Sequence, residues 1–484
     1  MTQSMRWLSS ITSLAVMLGL TANLRAQQTR SASDEISKLL SKLKQNRVYL
    51  FDTQARSGFD EIDNQIREAI SGENKATDEK TKTEHVTRRK AAEKELIELL
   101  KKQHKLIEFS LKGNQAIALG NSRLVLPGDT GIALLRIGNK DETIKFIEKS
   151  YDLSQSRDRI AVDIKPKGIT WVALDLANVP DGTSSLMMDL KKPNGQSLIL
   201  IVDVIAPEPA KLRVSILSAE AGKVVPAMIK LVWKLDGKER RPSNVVDFES
   251  QFDNLGRADC QRHAKLPGRL GGHLWWCVPG PFDMPIPPGG WEIIIRRGVE
   301  HIPIFDSFVA KPGQAIEKTY TPRHWADMPK LGWYSGDDHV HCRIASDKDA
   351  RRLMSWAQAE DVHVVNVMAM GDVYRTWFQQ RGFGPAHRVT DGDYVLVPGQ
   401  ECPRTHSAGF GHTLSINTTS WVRDVNKYWL YDWVADTVHA QGGLFGYAHA
   451  LLTHPYIRRG MSLSAYRHKV DFAEILQYGE MGTD

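Results

Sequence analysis

At Asn114 the hydrophobic period of the chain changes, and with it the kind of structure the sequence can build. Before that point apolar residues recur at helical spacing. Ile36, Leu39, Leu40 and Leu43 follow Ser33-Asp34-Glu35, which has the form of a helix start. Beyond the polar stretch 71–84, Leu96, Leu99 or Leu100, then Leu106 and Ile107 line one face among Lys and Glu. Residues 34–112 are therefore expected as a helical hairpin or spacer with a solvated, charge-balanced outer face. After Asn114 the apolar runs shorten to strand length. Leu124–Leu126, Ile132–Leu135, Ile160–Val162 and Trp171–Leu174 are separated by Pro-Gly, Pro-Asp-Gly and Pro-Asn-Gly turns. One period alone would give a bundle or a sheet; the two in succession predict a multidomain α+β chain.

Residues 114–206 read as one β-sandwich-like module, ending at Ala206-Pro207-Glu208-Pro209. Residues 211–325 read as a second, from Leu212–Leu217 through Ile229–Trp233 to Trp291–Ile295. This second stretch resembles the carboxypeptidase-regulatory-like, transthyretin-related domain, an accessory module of exported proteins. His273, Trp275 and Trp276 offer it a carbohydrate-stacking patch, or else pack a loop. The two β modules are thus the expected places for carbohydrate or protein contact.

The first 26 residues are read as a secretory leader and not as fold. Arg6 supplies the positive start, Leu14–Leu20 a short apolar stretch, and Leu24-Arg25-Ala26 the exit. That stretch is too short to span a bilayer. The expected mature chain is exported, periplasmic or at the cell surface, without a transmembrane segment. An oxidising compartment makes Cys260 and Cys277 a plausible disulfide. The excess of 63 basic over 57 acidic residues is scattered along the chain, which argues against a nucleic-acid partner.

The chemistry is expected after residue 330. Of sixteen histidines, ten lie between His339 and His468. Gly336-Asp337-Asp338-His339-Val340-His341 is the sharpest motif, because alternate residues of a strand share a face and present both imidazoles to one ion. Val395–Glu401 is a strand delivering a carboxylate, Gly411-His412-Thr413 precedes another, and Gly442–His449 is a Gly-Gly strand ending in histidine. Strand ends of this kind separated by helical stretches suggest an α/β barrel.

On these motifs residues 330–484 resemble the PHP (polymerase and histidinol phosphatase) superfamily, in its CehA/McbA-like metallohydrolase branch. The resemblance implies divalent metal (Zn, Mn or Fe) held by His339, His341, Glu401, His412 and His449. Asp337, Asp347 and Glu401 take the catalytic roles. Asp372 and His363 are further candidates, as ligands or as residues behind them. Arg404 and His406 are candidates for contact with an anionic substrate. It also implies a metal-dependent hydrolase that turns activated water on a phosphate ester or other ester-like bond, in a small molecule or linked to a polymer. Two departures stand against it. The second-strand histidine is replaced by Met368–Val373, and the last ligand motif would lie past Val470–Leu476, so the barrel is expected to be incomplete. The alternative expectation is a non-catalytic periplasmic or cell-surface binding protein with a degenerate PHP domain.

Overall fold

A computed structural model describes residues 34–120, 123–140, 146–153, 156–158, 162–164, 166–177, 179–192, 194–246, 275–371, 376–401, 411–424, 426–427, 430–449 and 461–474. The leader lies outside these residues. The chain divides into two compact units. One comprises residues up to Ala210 with two short returns, Ile286–Gly289 and Ala310–Gln314, and the other the remainder from Lys211.

The first unit begins with helices α1 (34–45), α2 (Arg47–Leu50), α3 (Thr53–Lys75) and α4 (Glu79–Lys102). The two long helices start where a carboxylate can satisfy a free backbone N–H. Asp52 accepts from the Ala55 N–H and Asp78 from the Thr81 N–H, each at 2.8 Å. Strands follow as β1 (Leu106–Lys112), β2 (Gln115–Ala118), β3 (Arg123–Val125), β4 (Gly131–Asn139) and β5 (Phe146–Leu153). Then come β6 (Ser156–Asp158), β7 (Val162–Ile164), β8 (Ile169–Leu176), β9 (Gly182–Lys191) and β10 (Ser197–Ala206). They form two sheets, β2-β1-β4-β8 and β3-β10-β9-β5-β6.

Ile132 and Leu134 of β4 meet Phe59, Ile66, Leu96 and Leu100 of the helices, while Ala133, Leu135 and Ile137 face the second sheet. A strand covered on both faces needs an unbroken apolar run, which explains Ile132–Leu135. The helices expected as a solvated spacer are thus a third layer on the sandwich.

In the second unit β11 (Ala210–Ile216), β15 (Phe282–Ile286) and β18 (Ala315–Tyr320) form one sheet. The other holds β12 (Ala227–Trp233), β13 (Lys238–Glu239), β14 (Trp276–Val278), β16 (Gly289–Arg296) and β17 (Ile304–Ala310). Trp233 and Trp291 stack at 6.3 Å in its interior. The module packs directly on the C-terminal part of the unit. Met228 and Cys277 share one apolar cluster with Ile344, Leu353, Val367 and Leu396.

The C-terminal part contains β19 (Gly336–Val340), helix α5 (Asp347–Ala359), β20 (Val364–Gly371), β21 (Thr376–Trp377), β22 (Val389–Asp391) and β23 (Tyr394–Glu401). After these come β24 (Thr413–Ile416), α6 (Tyr431–Ala440), β25 (Leu444–Tyr447), α7 (Met461–Tyr466) and β26 (Phe472–Ala473). The sheet order is β19-β20-β23-β24-β25-β26, with β21 on β20 and β22 on β23. The expected fold class, an α+β chain ending in an incomplete PHP-type α/β barrel, is corrected here. Most of the described structure is β, and among the described residues this last sheet is open and mixed. Strand β24 runs antiparallel to both neighbours, whereas a barrel of βα units is wholly parallel and closed.

Candidate metal centre

Strands β19, β20, β23, β25 and β26 all point one way and β24 the other. The C-terminal ends of the first group therefore lie beside the start of β24. His339 and His341 close β19, Glu401 ends β23, His449 follows β25, Glu474 follows β26, and His412 immediately precedes β24. Direction alone brings these residues to one end of the sheet.

Glu401 is the centre of the arrangement and is only 1% exposed. Its Oε2 lies 3.0 Å from His341 Nε2 and 3.6 Å from His339 Nε2, and its Oε1 lies 2.5 Å from His412 Nδ1 and 3.7 Å from His449 Nε2. Two triads result, His339-His341-Glu401 and Glu401-His412-His449, each compact enough to share an ion. Donors held tetrahedrally ~2.0–2.2 Å from zinc lie roughly 3.3–3.6 Å from one another, so the spacing is of the right order.

Proton positions sharpen the case. His339 Nδ1 is 2.7 Å from Glu474 Oε1, and His341 Nδ1 is 3.3 Å from the Met368 carbonyl. Both neighbours only accept, so each Nδ1 carries the proton and donates it. In the neutral rings the Nε2 lone pairs then face each other at 3.0 Å, beside a carboxylate oxygen. Glu401 Oε2 and His412 Nδ1 are buried without a hydrogen bond of acceptable geometry. Three acceptors converging on one point call for a cation.

A proton can take that place. Burial opposes charge on His339, yet the carboxylates of Glu401 and Glu474 outweigh it and raise the imidazolium to about 10. Burial likewise opposes charge on Glu401, and the four surrounding imidazoles overcome it and hold its carboxyl well below the usual range. Asp338 is pushed up, first by burial and then by the charge of Glu474.

Other expected site residues fall elsewhere. Asp337 is exposed, and its carboxylate accepts the His339 backbone N–H at 3.0 Å, so it fixes the strand end and does not enter the cluster. Asp347 is also exposed, pairs with Arg381 and opens helix α5, whose capping box joins Ser346 to Asp349. Neither carboxylate is among the groups gathered at Glu401. His363 is buried at the opposite, N-terminal end of β20; it bonds Ser335 Oγ at 2.9 Å and stacks on Tyr394 at 4.7 Å. Asp372, Arg404, His406, His273 and Cys260 lie outside the described residues. Cys277, expected to pair with Cys260, is a free buried thiol 3.7 Å from the Ser355 carbonyl, and burial pushes its pKa up. Trp275 packs against the apolar cluster that Cys277 shares with α5.

Sequence reasoning passed over Glu474, whose only signal was an acid one residue beyond a short β run. It also missed a second histidine network in the same unit. There Asp361 receives the Tyr394 hydroxyl, with Arg297 Nη2 3.5 Å away; His301 Nδ1 and His324 Nε2 approach its other oxygen at 3.5 and 3.8 Å. Arg297 also donates to Tyr394 Oη at 2.9 Å and to His301 Nε2 at 3.2 Å. Burial first, and then Arg297, hold His301 down to about 4. Gly298, at φ +57°, lets this corner close, since a Cβ there would come within 2.5 Å of both Asp361 Cβ and the Glu360 carbonyl oxygen.

No family model and no curated protein matches the chain. Among solved structures it is similar to BcpA, the major pilin subunit of Bacillus cereus, at 10% identity and a TM-score of 0.19 over 40% of this chain and 60% of that one. It is similar to the group B streptococcus pilus 2b backbone protein at 7% identity and a TM-score of 0.20, over 42% of this chain and 95% of that one. Shaft pilin SpaA from Lactobacillus rhamnosus GG gives 10% and 0.17, over 46% and 98%. The chain spans about 60% of the BcpA subunit's length. The family readings are accordingly corrected. Neither the PHP, CehA/McbA-like assignment nor the carboxypeptidase-regulatory-like one is matched by a family model, and among the described residues the last sheet is open and mixed. The hydrolase activity, which rested on that family, is corrected with it. No helix among the described residues is long and apolar enough to cross a membrane.

Proposed function

We propose that the protein is a non-catalytic binding or interaction protein, exported to the periplasm or cell surface, whose C-terminal sheet is organised by divalent metal at Glu401. The observation that carries the metal is the convergence of the His339 and His341 Nε2 lone pairs on Glu401 Oε2, an oxygen buried without a hydrogen bond of its own. His339, His341 and Glu401 would hold one ion, and Glu401, His412 and His449 a second. Imidazole and carboxylate together suit Zn, Mn or Fe. When bound, such an ion supplies attraction for an oxygen donor on a partner.

The chain's own residues do the rest. Glu401 divides its two oxygens between the triads, Met368 fixes the ring of His341, and Asp337 holds the backbone of His339. Export is supported by the leader-like first 26 residues. The large share of sandwich structure supports binding as the work of the rest of the chain.

Elemental analysis of the full chain, purified without chelator, tests the reading. Bound Zn, Mn or Fe is expected at about one to two equivalents, falling at least ~10-fold in Glu401→Ala, which removes the shared ligand. A metal-free wild type, or an unchanged content in the variant, would overturn the metal centre. Turnover of ester substrates that depends on the bound ion would overturn the non-catalytic reading.

A further inference from the structure

We infer that Glu474 is the positioning residue of this centre, one carboxylate that sets the ring of His339 for one of the two triads around Glu401 and the backbone of His449 for the other. The inference rests on the metal reading above. Glu474 Oε1 takes the His339 Nδ1 proton at 2.7 Å, which turns Nε2 toward Glu401 and His341. Its Oε2 takes the backbone N–H of His449 at 2.5 Å. That backbone needs holding, because His449 sits at φ +38°, in the left-handed region that a side chain disfavours. Strand pairing puts Glu474 in place: its own N–H donates to the Tyr447 carbonyl at 3.0 Å, the rung beyond the β25–β26 ladder.

The geometry is more than local. Strands β19 and β26 stand at opposite ends of the sheet order, five strands apart, yet the Glu474 carboxylate reaches His339 across that distance. The sheet therefore curls at its ligand-bearing end, and one side chain fastens first strand to last. A carboxylate is required because both contacts are N–H donors and need two acceptor oxygens. Glutamine retains one acceptor and sets an NH2 group against the other donor; alanine retains none.

Cobalt(II) binding to the full chain tests this, with wild type, Glu474→Gln and Glu474→Ala compared by competition titration and by visible absorption of the bound ion. Far-UV spectra of the metal-free proteins confirm that each variant is folded, and the near-isosteric glutamine keeps the test usable if alanine is not. The expected result is a ~10–100-fold loss of affinity in Glu474→Ala and a smaller loss in Glu474→Gln, with the absorption band altered in both. Wild-type affinity and an unaltered band in both variants would overturn the role of Glu474 and leave the metal centre standing. A wild type that binds no cobalt would overturn both.

Discussion

Two carboxylates in the second unit, Glu401 and Asp361, each gather histidines at metal-like spacing, and they differ in what supplies the positive charge. At Asp361 it is a guanidinium. Arg297 can only donate, so His301 must accept at Nε2 and carry its proton on Nδ1, which lies 3.5 Å from Asp361 Oδ2 without a hydrogen bond of acceptable geometry. Tyr394 fills the carboxylate's other oxygen. At Glu401 the described partners are imidazoles alone, and those of His339 and His341 have their protons drawn away by Glu474 and the Met368 carbonyl. Similar residue types thus give a brace that carries its own guanidinium in one place and a cation-seeking site in the other. Proton bookkeeping separates the two where distance does not.

The largest effect that would break this comparison is expected from Arg297→Met. Removing one partner from a buried pair costs about 3–5 kcal/mol, so the unfolding transition of the second unit should move to much lower denaturant. Metal content at Glu401 should stay that of the wild type. If added metal rescued Arg297→Met, the two networks would be one.

A smaller effect is expected with pH. His301 titrates near 4 in the fold and near ~6.5 in an unfolded chain, so the unfolded state binds more protons between those values. The resulting stability is present above about 6.5 and drains away as pH falls through about 4. Urea midpoints from pH 7 to 4 should show that slope, and it should flatten in His301→Gln. An undiminished slope in the variant would put the acid sensitivity elsewhere.

The smallest effect sharpens the boundary of the metal centre. Asp347→Ala should change stability by no more than ~0.5–1 kcal/mol and leave metal content untouched, because an exposed ion pair is screened by water. Loss of metal in this variant would return Asp347 to the centre.

Much of the Glu401 cluster was legible before any fold was known, because strand ends advertise themselves. His339 and His341 share a face by parity, and Glu401, His412 and His449 each adjoin a short apolar run. Strand direction was not legible. Period-two alternation is the same in parallel and antiparallel strands, so the reversal of β24 and the open sheet could not be read from residues 413–416. Direction also explains His363, a histidine on a β run like the others but at the wrong end of its strand. The brace at Asp361 was hidden for another reason. Its members Arg297, His301, His324, Asp361 and Tyr394 come from separate segments with no shared motif. At Asp347 two signals overlap: the acid after Ser346 is read as chemistry, while the Ser-x-x-Asp spacing from Ser346 to Asp349 announces the helix cap that the structure forms.

Gly298 bears on how such a chain could be recombined. The space a side chain would need at this position is already occupied by Glu360 and Asp361, and the residue beside it, Arg297, reaches Asp361, Tyr394 and the Gln358 carbonyl. The 211–325 module and the sheet beyond it are therefore not interchangeable cassettes. A graft that replaced the module would have to import an Arg-Gly pair at the same corner, or the recipient would inherit a buried aspartate with no counter-charge. The heritable unit is the junction together with both of its sides.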